Sequence, residues 1–224
     1  MIIAQEINPI FIQGLNSILN YNTSIFYLIN NSLENNIFNV IMPILTDLGS
    51  LLAWCIICGL IYLFGGTNAK KVAILGLLAL FISNGIVYVL KPLIAEPRPF
   101  LVLGNVHQLV VENEIYSFPS GHTTSSFAAA TVIGLKYSLQ LYNKKFRLIY
   151  PLFAFAALVG FSRIYIGVHY PFDILFGALI GILCALVVLR LEGWIFGNEH
   201  LRMLKLDKIT KIDTIGKIKA IYNQ

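Results

Sequence analysis

Several apolar runs in this 224-residue chain reach the roughly 20 residues that a helix needs to cross a bilayer. No other feature limits the fold as strongly. In hydrocarbon every backbone N–H and C=O must be satisfied within the chain, so such runs fold as helices. Composition agrees: hydrophobic residues make up 57% and charged residues 12%, and mean hydropathy is +0.76. A soluble globular enzyme does not have this balance. The class implied is an integral membrane protein.

The pattern predicts an all-α, polytopic transmembrane bundle of five spans. They run over Phe38–Phe64, Val72–Leu90, His122–Leu141, Phe146–Gly160 (reaching Ser162 at most) and Pro171–Leu189. Residues 1–37 are read as an N-terminal interfacial segment. Ile10, Ile12, Leu15, Ile18 and Leu19 suit one helix face, while Asn16, Asn20, Asn22, Asn30, Asn31, Asn35 and Asn36 interrupt any long apolar stretch. A sixth span there is the alternative. Three regions follow: 1–37, a membrane domain over 38–190, and a basic tail over 191–224. In the tail, lysines mix with Ile209, Ile212, Ile215, Ile218 and Ile221, as in a helix lying on an anionic leaflet. Cys55, Cys58 and Cys184 fall in apolar runs and read as packing residues.

Loop charge sets the orientation. Lys70 is the first lysine, so no positively charged leader region is expected. Lys70 and Lys71, then Lys144, Lys145 and Arg147, then Arg190 and the tail lysines share one side of a five-span bundle. That side is the cytoplasm. Residues 91–121 and 162–170 then meet at the outer face. Bilayer lipids are the expected surroundings, and no nucleic-acid partner is expected.

Those two outer segments hold charges that an apolar chain does not place idly. Lys91 closes the second span, and Arg98 sits between two prolines on the side where positive flanks are disfavoured. A guanidinium fork and an ammonium suit a phosphate. Pro119, Ser120 and Gly121 break the chain where a helix begins at His122. A helix N-terminus offers free N–H groups to an anion, and Gly121 lets backbone approach a ligand. Pro171 reads as a first helical residue. His169 and Asp173, four apart, then share a face. A carboxylate on one imidazole nitrogen fixes the tautomer and leaves the other nitrogen free as nucleophile or base. Arg163 is placed on the loop just before.

Lys91 with Arg98-Pro99, Pro119-Ser120-Gly121-His122, and Ser162-Arg163 with His169 and Asp173 together resemble the three-part signature of the type 2 phosphatidic acid phosphatase superfamily. The likeness runs from the first span through the fifth. It implies a helical bundle with its active site at one membrane face, and metal-independent, cofactor-free hydrolysis of a phosphate ester or anhydride. It also implies roles. His169 attacks phosphorus, Asp173 orients it, and His122 protonates the leaving group. Lys91, Arg98, Ser120, Gly121 and Arg163 hold the phosphoryl oxygens. The chain is most similar to the undecaprenyl-diphosphatase branch, so a membrane lipid phosphate is the expected substrate. Phosphatidic acid and phosphatidylglycerol phosphate are alternatives, and a non-enzymatic lipid-headgroup binder is a third reading.

Other polar groups receive plainer expectations. His107, Glu112 and Glu114 read as solvated loop residues and Glu96 as a local partner of Arg98. Asn84 reads as a bond to a neighbouring helix. Asp47 either pairs with a cation of the site or faces interfacial water. No Asp/Glu or His/Cys ligand set appears, which argues against a metal mechanism.

Overall fold

The computed structural model describes residues 9–141 and 144–197. The described residues through Leu186 form one compact unit, and Val187–Gly197 belong to a second.

The first unit begins with α1 (Pro9–Asn30), a single 22-residue helix. The Asn35 side chain then caps α2 (Asn36–Leu48) by accepting from Phe38 N. Ser50 caps α3 (Leu51–Phe64) in the same way, accepting from Ala53 N. The single span expected over 38–64 is therefore broken: α2 and α3 meet at a 56° bend. Gly49 sits at the bend because the chain passes too close to its neighbour for a side chain. A Cβ there would fall 2.2 Å from Val159 Cγ1.

α4 (Thr67–Ile94) is 28 residues long, about 42 Å at 1.5 Å per residue. It separates Lys70 and Lys71 at one end from Lys91 at the other. The one-turn α5 (Pro99–Val102) follows Arg98. α6 (Gly121–Lys136) is capped by Ser120. It stops at Lys136, and the antiparallel strand pair β1 (Ser138–Leu141) with β2 (Lys144–Arg147) follows. The expected third span thus ends five residues early. α7 (Ile149–Tyr165) starts later and runs further than expected, and it carries Arg163 in its last turn. α8 (Pro171–Arg190) begins at the predicted proline. The one-turn α9 (Glu192–Ile195) belongs to the second unit. The rest of the tail falls outside the described residues.

α4 and α8 are long and apolar enough to cross a membrane, as is the bent pair α2–α3 taken together; α7 is a shorter apolar helix. α6 is different. Thr123, Thr124, Ser125, Ser126 and Thr131 along it are all buried. Their hydroxyls are satisfied, some within the helix and some across it. Trp54 Nε1 of α3 donates to Ser126 Oγ at 3.1 Å, and Asn84 Nδ2 of α4 donates to Ser125 Oγ at 3.0 Å. Small residues allow this close packing. Gly177 and Gly181 of α8 use the same device: Cβ atoms there would lie 2.7 Å from Ser120 O and 2.4 Å from Thr124 O. These glycines face the small residues of α6.

α1 packs on α7 within the same compact unit as the bundle. Its asparagines interrupt the apolar pattern; Asn16 and Asn20 are exposed, while Asn22 and Asn30 are buried for a reason. Asn22 Oδ1 accepts from Phe172 N in the first turn of α8 at 3.0 Å. Asn30 is fully buried. Its Nδ2 donates to His107 O at 2.8 Å and Tyr165 O at 2.7 Å, and its Oδ1 accepts from His107 N at 2.9 Å.

Candidate active site

One end of α4, α6, α7 and α8 converges on a cavity of about 330 Å³. The connection from α4 to α6 and the turn from α7 to α8 close over it. Lys91, Arg98, Gly121, His122, Arg163 and His169 all line it. Six of the eight residues singled out in the sequence therefore share one space, though 78 positions separate Lys91 from His169 (169 − 91). Asp173 lies behind His169. Ser120 stands beside Gly121, outside the lining.

His169 is almost completely buried. Its Nδ1 is 3.0 Å from Asp173 Oδ2 and its Nε2 is 3.2 Å from Arg98 Nη1. Arginine has only donors, so Nε2 must accept, and the ring proton belongs on Nδ1, donated to Asp173. The tautomer follows from the partners. Tyr170 N also donates to Asp173 Oδ2, at 2.8 Å, which holds the carboxylate in place. Burial, together with the nearby Arg163, Arg98 and Lys91 cations, keeps the His169 imidazole well below its ordinary pKa. It is a neutral ring with a lone pair aimed at the cationic side of the cavity.

The two histidine motifs are joined through the backbone. Ser120 N donates to Asp173 O at 3.1 Å, which ties the start of α6 to the first turn of α8. The Ser120 hydroxyl is committed to capping: it accepts from Thr123 N at 3.5 Å and from Thr123 Oγ1 at 3.0 Å. A Cβ at Gly121 would meet only ordinary contacts, 3.7 Å from Asn84 Oδ1 and 3.9 Å from Val87 Cγ1. Packing does not demand glycine there, so what the glycine provides is bare main chain beside the cavity.

The cations are held differently from expectation. Arg163 belongs to the buried end of α7, where Nη1 donates to Thr46 Oγ1 at 3.1 Å and Nη2 to Glu112 Oε2 at 2.5 Å. Arg98 is 1% exposed. Its Nε donates to Glu114 O at 2.6 Å, Nη1 to Val168 O at 3.0 Å, and Nη2 to Glu114 Oε2 at 3.3 Å. Lys91 Nζ pairs with Glu114 and donates to Tyr116 O. Glu112 and Glu114, expected to be solvated, are thus the anionic partners of all three cations. Burial alone would raise the Glu114 carboxyl, but Lys91, Arg98 and Arg163 outweigh it and hold it below the usual range.

Three further expectations resolve. Glu96 forms no ion pair with Arg98 among the described residues; its carbonyl instead accepts from Ser117 N at 2.8 Å. His107 is drawn in rather than solvated: its Nε2 is 3.2 Å from Asn39 Oδ1, and Glu34 lies 3.4 Å from its Nδ1. Asn84 bonds Ser125 as expected and also lines the cavity. The lining also has an apolar part, formed by Leu51 of α3 with Val87 and the strongly exposed Tyr88 of α4.

A buried imidazole backed by a carboxylate, facing clustered guanidinium and ammonium groups, is the equipment of a phosphoryl-transfer site rather than of a passive pore or scaffold. The chain belongs to the PAP2 superfamily, whose family model matches residues 72–196. It is a membrane protein and a phosphatase of that class. It is 33% identical over 189 residues to undecaprenyl-diphosphatase BcrC of Bacillus subtilis, covering 81% of this chain and 91% of that protein. Among solved structures it resembles Aquifex aeolicus LpxE, with TM-score 0.63 and 33% identity over 76% of this chain and 95% of the other. It also resembles a PAP2-type phosphatidylglycerolphosphate phosphatase from Bacillus subtilis. There the TM-score is 0.65, with 26% identity over 80% of this chain and 88% of the other.

Proposed function

We propose that this protein hydrolyses a polyprenyl diphosphate of the undecaprenyl type to the monophosphate, through a phosphohistidine on His169. The observation that carries the reading is the His169 ring itself. Asp173 holds Nδ1–H, so Nε2 presents its lone pair to a cavity lined with three cations. The similarity to the Bacillus undecaprenyl-diphosphatase over most of both chains supports the substrate class.

In this mechanism His169 Nε2 forms a bond to the terminal phosphorus. The bond from that phosphorus to the bridging oxygen breaks, and His122 gives its proton to the departing lipid monophosphate. His122 then takes a proton from water, which attacks the phosphohistidine. Orthophosphate leaves and His169 is restored. Lys91, Arg98 and Arg163, with the bare main chain at Gly121, meet the charge on the phosphoryl oxygens. Ser120 acts from beside them, holding the start of α6 in position. The reaction needs no metal ion. Phosphate-ester hydrolysis is among the slowest uncatalysed reactions, so this density of fixed positive charge has a clear use. On a five-span reading with the lysine-rich loops inside, this site faces outward and the C-terminus lies in the cytoplasm.

Phosphatidylglycerol phosphate is the second reading, favoured by the structural likeness to the Bacillus enzyme that acts on it. The test is phosphate release by the purified protein from undecaprenyl diphosphate, phosphatidylglycerol phosphate and phosphatidic acid, each beside H169A. Fastest turnover of the first, absent in the variant, is expected. Equal release by wild type and H169A refutes the mechanism, and a clear preference for a glycerolipid refutes the substrate.

A further inference from the structure

The residues that should hold phosphate are already holding carboxylates. Glu112 and Glu114 lie two apart on one loop. Between them they pair with Lys91, Arg98 and Arg163. The three cations are at most 13% exposed in their side chains, whereas Glu112 is 22% and Glu114 63% exposed. The cations are fixed in the wall, and the anions reach them from the side of the loop. A carboxylate offers a guanidinium the same pair of charged oxygens as a phosphoryl group does. Two carboxylates and a phosphoryl dianion cannot share these donors in a small, partly dried cavity, because like charges repel strongly there.

We propose that Glu112 and Glu114 act as a built-in competing anion. They occupy Lys91, Arg98 and Arg163 between turnovers, yield them to the incoming phosphoryl group, and return to expel inorganic phosphate. The inference rests on the phosphate-binding reading above and adds to it two residues that set affinity and product release. The alternative is that the glutamates merely orient the cations. The two roles predict opposite signs. Removing a competitor tightens phosphate binding, and removing a scaffold weakens it.

The experiment uses the full-length protein in detergent, with inorganic phosphate as the probe, read as an inhibitor of lipid diphosphate hydrolysis. E114Q removes one charge at an exposed position. Its phosphate Ki should fall about fivefold, the upper range for a half-exposed ion pair, and the substrate KM should fall with it. E112Q/E114Q should fall further, and E114D should return toward wild type. A Ki that rises or stays unchanged in E114Q overturns the proposal while leaving the phosphatase reading intact. A wild-type protein that neither releases phosphate from lipid nor is inhibited by it overturns both.

Discussion

Asn30 offers the sharpest test of how the N-terminal helix serves the site. Its amide makes three hydrogen bonds to backbone, two to His107 and one to Tyr165 O. The residue is fully buried. In N30A two carbonyls and one N–H lose their partner where water cannot readily replace it. A buried polar group left unsatisfied costs about 1–3 kcal/mol. Taking the low end for each gives a loss of about 3 kcal/mol. For a chain of this size that lowers Tm by about 6–12 °C, at roughly 2–4 °C per kcal/mol. Its neighbour Asn31 is the control: it is exposed and makes one side-chain bond, to Asn105 O at 3.0 Å. N31A should stay within about 0.5 kcal/mol, or 1–2 °C. The assay is thermal unfolding of the purified protein in detergent, followed by activity at a temperature where both variants stay folded. N30A should also lose activity, because Tyr165 ends the helix that carries Arg163. Equal Tm shifts for the two variants would refute the claim that α1 is bonded into the site and return it to the status of a loosely attached interfacial segment.

Other outcomes follow from the same geometry. D173N replaces the carboxylate that fixes the His169 tautomer with a neutral amide that can also donate, and kcat should drop by about 10³–10⁴, as in the Ser-His-Asp triad; a loss below tenfold would refute the assigned tautomer. G181A places a methyl group against Thr124 O of α6, and steady-state kinetics should show a fall in kcat from the displaced histidines; full activity would mean that the two helices tolerate separation. His169 is held below its ordinary pKa, so between that depressed value and about 6.5 the unfolded chain binds more protons than the folded one. Stability therefore falls as pH is lowered below about 6.5; the Tm-versus-pH slope should be shallower in H169Q, and identical slopes would refute the shift. Activity should survive a chelator and gain nothing from added Mg²⁺; loss in chelator with recovery on Mg²⁺ would overturn metal independence.

The chemistry of the site was more legible in the sequence than its support. Lys91, Arg98, His122, His169 and Asp173 stood out because ionisable groups are rare in apolar surroundings, and a four-residue helical step is fixed by geometry. The helix start at Pro171 was legible from local signals, and the one expected at His122 fell one residue late, since α6 begins at Gly121. Long-range partners were not legible. Nothing near Glu112 says that Arg163, 51 positions away, will meet it. Two carboxylates between two cationic motifs were nevertheless a usable hint, since an outer face rich in fixed cations needs counter-charge. The break at Gly49 was hidden inside a continuous apolar run, because it depends on the approach of Val159 from α7. The asparagines of α1 were read as marks against burial. In fact two of them, Asn22 and Asn30, are buried because backbone groups of His107, Tyr165 and Phe172 need partners, and hydropathy counts composition rather than partners.

The cavity has two unlike walls. One is polar and locked by buried bonds among α6, α7, α8 and the loop that carries the glutamates. The other is Leu51, Val87 and Tyr88, side chains that take no part in those bonds. The charged lining and the apolar lining are therefore separate sets of side chains. α3 and α4 are themselves tied to α6 through Trp54 and Asn84, so only the three side chains of this wall, not its helices, can be changed without pulling on the site. A mutational library confined to those three is the natural route to new substrate ranges from an unchanged reaction.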